Sequence, residues 1–222
     1  IMNKLARSIL SLYSYSDVTE NTTIEDEMSI ALDLIAKMPI LMDGAYQAKR
    51  HKYDNASLIM HPLRPEENTA ESILSLIRND RSYTKAEAQL LDTLLALHAD
   101  HGGGNNSTFA CRVATSSGTD PFAAYTSAIN SLKGPRHGGA NIKVIQMLDD
   151  IKAHVAHWEN EGEVADYLTK ILRKEANDGS GLIYGMGHAV YTISDPREVI
   201  LKQRARHLAY EKGLSLIHIS EP

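Results

Sequence analysis

Three short stretches of this sequence place histidines among glycines: HGGGNNS (101–107), GPRHGGAN (134–141) and DGSGLIYGMGH (178–188). An imidazole can donate, accept or carry a proton near neutrality, and glycine neighbours leave room for another molecule to approach it closely. His101, His137 and His188 are therefore candidates for polar or proton-transfer chemistry on a bound ligand. Arg197 adds a cation in the first turn of an expected helix, where the dipole disfavours it. Either an anion shares that helix N-terminus with it, or it is a solvated surface arginine.

Other chemistries are poorly supported. His98 and His101 are three apart, but no HExxH motif or cysteine pair completes a zinc site, so no metal is expected and His98 is read as a packed or capping residue. GSGLIYGMG has neither dinucleotide nor P-loop spacing, and no strand precedes it. Ser107 and Ser116 lack a G-x-S-x-G elbow. His51, His61, His154, His157 and His207 carry no glycine signature and are read as surface or packing residues. Cys111, the single cysteine, is expected to be a small buried side chain in a reducing compartment, with no disulfide to form.

The elements that must hold these loops are helical. Residues 24–51 carry apolar side chains three and four apart, with acids early and bases late, and Pro39 is expected to end or kink that helix near its middle. HPLRPEEN (61–68) reads as a polar connection, and ESILSLIR as a short helix. Thr84 and Glu87 form a capping box before a leucine-faced helix, and Asp120-Pro121 and Asp195-Pro196 each place an N-cap acid before a first-turn proline. NIKVIQMLDDIKAHVAHWEN and EVADYLTKILRKEAND supply two more amphipathic helices. No stretch alternates as a strand would, so the fold class is all-α.

The 222 residues, 43% hydrophobic and 23% charged, are those of an ordinary globular protein. A net charge of −5 gives no general reason to bind nucleic acid or an anionic membrane. No apolar run approaches the roughly 20 residues that span a bilayer, and IMNKLARSIL is not a signal peptide. A cytoplasmic location is expected.

HADHGGGNNST, SSGTDPFAAYTSAINSLKGPRHGGAN and GMGHAVYTISDPR, in that order, resemble the citrate synthase family in its bacterial form, over about residues 84–213. The resemblance implies condensation of acetyl-CoA, a co-substrate and not a resident cofactor, with oxaloacetate and water to give citrate and CoA. It implies that neutral His137 donates to the thioester oxygen as the methyl group loses its proton, and that His188 polarises and protonates the oxaloacetate carbonyl. His101 and Arg197 would bind oxaloacetate, and Gly185, Met186 and Gly187 would lie along the CoA. A homodimer built on TFACRVATSSG and FAAYTSAINSLKG is implied as well.

By the same resemblance, residues 1–149 are expected in a helical large domain and 150–213 in a small CoA-side domain that closes over it. LSLIHISEP (214–222) reads like the translation of a sequencing-library adapter, so native sequence is expected to end near Gly213. IMNK resembles mid-gene sequence. The family's catalytic aspartate and further arginines would then lie beyond this stretch, and a chain without that base is expected to turn over negligibly. Nearby alternatives are a 2-methylcitrate synthase using propionyl-CoA and a non-catalytic metabolite-binding homologue. One methylene in an acyl pocket is worth only about 1–3 kcal/mol, so these motifs do not separate the two synthases.

Overall fold

A computed structural model describes residues 1–17, 23–100, 104–187 and 192–213. Every regular element among them is helical. They are α1 (Met2–Ser11), a 3-10 turn (Leu12–Tyr15), α2 (Ile24–Tyr53), α3 (Thr69–Ile77), α4 (Lys85–His98), α5 (Asn106–Thr115), α6 (Pro121–Leu132), α7 (Ala140–His154), α8 (Glu161–Leu172) and α9 (Pro196–Glu211).

Local chemistry sets most of the starts. Thr84 accepts from the Glu87 amide and Glu87 accepts from the Thr84 amide, completing the expected capping box. Thr23 with Asp26 and Asn68 with Glu71 form two more. Asp120 and Asp195 cap α6 and α9 ahead of their prolines. Each such cap satisfies amides that helix geometry leaves without a carbonyl partner.

Pro39 does not end α2, which runs unbroken from Ile24 to Tyr53. Its ring removes one backbone donor, but Pro39 is buried and the helix is held on both sides of it. Ile30 and Leu34 enter the core before it, and Ala45 and Gln47 are buried after it. Tertiary packing outweighs the local penalty.

The chain divides into two compact units, Ile1–Gly134 and Pro135–Pro222. The boundary read from the sequence, 149/150, falls inside α7, a continuous helix that buries Met147 and Ile151. The first unit packs Leu5 and Ile9 of α1 against Ile30 and Leu34 of α2 and Phe122 of α6. Tyr13 meets the Phe122 ring edge-on at 6.3 Å. Arg78 then ties the end of α3 to α4 through both Glu87 oxygens, at 2.8 and 3.0 Å. The 61–68 connection is fixed by Glu67, whose almost fully buried carboxylate accepts from Arg64, Ser75 and Tyr83.

In the second unit, Met147 and Ile151 of α7 and Val155 pack on Tyr167 and Ile171 of α8. Ile183 and Tyr184, from the glycine-rich segment, close over that cluster. Cys111 is half-buried rather than buried, because α5 has no fully buried residue at all.

Candidate functional site

The second unit holds His137, Gly185, Met186, Gly187 and Arg197. His101 and His188 lie outside the described residues, as do residues 214–222.

His137 sits half-buried in the turn between the start of the unit and α7. Gly139 explains why that turn needs glycine. Its backbone, at φ −71°, suits any residue. A Cβ there would meet the Pro135 Cα at 2.6 Å and the Pro135 carbonyl oxygen at 2.8 Å. The chain thus folds back on itself across His137, and only a missing side chain permits it. The glycine on this side shapes the turn that presents the imidazole, as well as leaving space beside it.

The Gly185–Gly187 segment is seated on α7. Gly185 has φ +85°, a left-handed conformation that disfavours side chains. A Cβ there would lie 3.3 Å from Val144 Cγ2, one turn into α7. Upstream, Asp178 accepts from Lys143 Nζ at 2.9 Å and from the Tyr184 hydroxyl at 2.7 Å. The Ser180 amide donates to its other oxygen at 3.1 Å. Hydrogen bonds from Ser180, Lys143 and Tyr184 hold the Asp178 carboxyl well below the usual carboxylate range. The D-G-S turn could be read locally. The pairing with Lys143 spans 35 positions and left no signal in the sequence.

Arg197 has a local reason for its place in the first turn of α9. Asp195 caps the helix by accepting from the Arg197 amide at 2.9 Å. The same carboxylate takes the guanidinium through Nε at 3.0 Å and Nη2 at 2.7 Å. The cap acid offsets the repulsion between guanidinium and helix dipole, and sets the side-chain direction.

The remaining histidines sit elsewhere. His98 lies at the end of α4 with Nδ1 2.7 Å from the Leu94 carbonyl oxygen, and His51 bonds similarly to Ala56 at 2.9 Å. His154 stacks on Tyr167, with centroids 5.3 Å apart. His157 and His207 pair with Glu163 and Glu211. His61 keeps Nε2 buried without a partner. No three described His, Cys, Asp or Glu side chains group closely enough to hold a metal ion. No described helix is long and apolar enough to cross a membrane.

A cavity of about 250 Å³ in the first unit is lined by Asp17, Asp26, Asp33, Lys37 and Phe122 among others, and by none of the residues singled out in the sequence. Two of its acids are already engaged: Asp33 pairs with Lys37, and Asp26 serves the α2 cap.

Comparison with known proteins gives the arrangement a context. Residues 1–221 match the family described as citrate synthase, C-terminal domain. The chain is 33% identical over 216 residues to a citrate synthase of Corynebacterium glutamicum, covering 96% of this chain and 46% of that protein. A citrate synthase of Deinococcus radiodurans is 32% identical, with 96% and 52% covered. Among solved structures, citrate synthase from Thermoplasma acidophilum, in a ternary complex with carboxymethyl coenzyme A and oxaloacetate, superposes with TM-score 0.72 at 28% identity. The Pyrobaculum aerophilum enzyme gives 0.71 at 25%. Each of these two superpositions covers 96% of this chain and 50% of the solved one. The chain spans about half the length of the curated relatives it matches. The chain belongs to the citrate synthase family.

Proposed function

We propose that this chain is part of a citrate synthase that condenses acetyl-CoA with oxaloacetate and water to form citrate and CoA, the entry step of the tricarboxylic acid cycle. The family match along residues 1–221 carries the reading. The geometry of the second unit supports it, because one helix, α7, adjoins both the His137 turn and the Gly185 segment.

The hard step is removing a proton from a thioester methyl group. In this reading His137 donates a hydrogen bond to the thioester oxygen, where charge grows as the enol forms. The folded-back turn fixes that donor before substrate arrives, which lowers the reorganisation cost. The backbone of Gly185, Met186 and Gly187 lies along the CoA, with Met186 largely exposed. Arg197, its guanidinium oriented by Asp195 through Nε and Nη2, binds an oxaloacetate carboxylate. His188 protonates the oxaloacetate carbonyl as the enol attacks, and His101 helps bind that substrate. In this reading a carboxylate base takes the methyl proton. Loss of such a base typically lowers the rate about 10²- to 10⁴-fold.

The enzyme is a cytoplasmic homodimer in this reading. Exposed Phe109 and Val113 on α5 and Leu132 on α6 supply apolar surface for the partner. The test is to express the whole reading frame containing this chain and follow thiol release from acetyl-CoA and propionyl-CoA, each with and without oxaloacetate. Oxaloacetate-dependent release that favours acetyl-CoA supports the proposal. Preference for propionyl-CoA makes it a 2-methylcitrate synthase, and no release with either overturns it.

A further inference from the structure

The segment 178–187 is held to α7 at three points. Asp178 binds Lys143 Nζ and the Tyr184 hydroxyl, while the Lys143 ammonium also lies 5.7 Å from the Tyr184 ring centroid. Ser180, within the loop, accepts from the Leu182 amide at 3.2 Å, and its hydroxyl lies 3.3 Å from the Tyr184 hydroxyl. Ile183 and Tyr184 rest on the unit's core, and Gly185 abuts Val144. Lys143 and Val144 are adjacent, one turn after Gly139 and the His137 turn. The ionic contact and the close backbone approach therefore fall on the same turn of the same helix.

Exposed ion pairs add little to stability. The Lys143 and Asp178 side chains are 46% and 30% exposed, so this pair is a weak reason for the unit to fold. It is a good reason for one loop to occupy one place. The network joins four side chains and the loop's own amides, and closes a segment whose glycines otherwise allow many conformations.

We infer that Asp178 is a positioning residue: through Lys143 and Tyr184 it holds the Gly185–Gly187 segment on α7 beside the His137 turn, and so sets the affinity for the acyl-CoA. The second clause rests on the proposed function of that segment; the first does not.

The experiment compares Asp178→Asn, Lys143→Met, the double variant and Lys143→Arg in the enzyme expressed from the whole reading frame. Asp178→Asn and Lys143→Met are each expected to raise KM for acetyl-CoA about fivefold or more through loss of preorganisation. KM for oxaloacetate and the thermal midpoint should stay unchanged. The double variant should be less impaired than the product of the two single effects, because both remove the Lys143–Asp178 pair. Lys143→Arg should restore wild-type KM. Amide exchange of residues 182–187 should speed up in Asp178→Asn, relative to the Met147–Ile151 amides.

An unchanged KM with an active wild type overturns the inference, and so does a KM change that tracks a fall in thermal midpoint. If the wild type releases no CoA, the proposed function fails. Faster exchange in Asp178→Asn would then still show that Asp178 holds the segment. Unchanged exchange would remove that role too.

Discussion

Gly139→Ala is the sharpest perturbation of the candidate site. The backbone angles at Gly139 suit alanine, so the cost is steric alone. The new methyl carbon would lie 2.6 Å from the Pro135 Cα and 2.8 Å from its carbonyl oxygen. Both obstacles are backbone, and neither can swing aside as a side chain could. Overpacking typically costs about 1–3 kcal/mol. The turn is at the surface and can relax, which puts the stability loss near the lower bound, at about 1 kcal/mol. Relaxation must move the Pro135–Gly139 turn and His137 with it, and a displacement of about 1 Å in a catalytic group can cost about 10²-fold in rate. The prediction is a large fall in kcat with a small loss of stability, read by CoA release and by denaturant unfolding of the same samples. Gly44→Ala is the control. Its methyl would meet only the end of the Met60 side chain, at 3.9 Å, and a helix-interior alanine should stabilise by about 0.5–1 kcal/mol. Should Gly139→Ala keep kcat within twofold of wild type, the turn does not position His137 as argued.

Ile171 is 1% exposed in the core of the second unit, so Ile171→Ala should cost about 2–5 kcal/mol in denaturant unfolding. Thr84→Ala removes one arm of the capping box on α4 and should cost about 0.5–2 kcal/mol in the same assay. Burial, and next the Asp150 carboxylate that accepts its proton at 2.8 Å, push the Tyr167 phenol up to about 12. A raised value in the folded state gives stability that is complete below the unfolded value near 10 and lost as the pH climbs through about 12. Unfolding titrations of wild type and Tyr167→Phe should therefore differ in slope between about pH 10 and 12, by at most about 3 kcal/mol over the range. Parallel slopes would show that the phenol titrates normally.

What the sequence made legible was local. Capping boxes and Asp-Pro starts lie within a few residues of the amides they serve, so Thr84, Asp120 and Asp195 could be read directly. Pro39 does not end α2 because the packing that keeps the helix whole comes from α1 and α6, which its neighbours in sequence do not reveal. The division at Gly134–Pro135 depends on which core Met147 and Ile151 join, and the partners that decide it are on α8. At the site, glycines marked the His137 turn, but the obstacle that requires Gly139 is a backbone four residues back. Asp195 and Arg197 are two residues apart, yet cap and cation were read as separate features. Side-chain geometry shows them to be one unit.

Helix α7 also works as a ruler. Its first turn adjoins the His137 turn, its second bears Lys143 and Val144, and its buried side at Met147 and Ile151 anchors the unit. Each residue advances a helix by about 1.5 Å and rotates it by about 100°. One residue gained or lost between Val144 and Met147 would turn the loop-holding face away from the core-facing one. No single substitution could restore the phase. Length variation among relatives should therefore be absent from α7 and gather in the connections that follow it, where a change of length disturbs no such register.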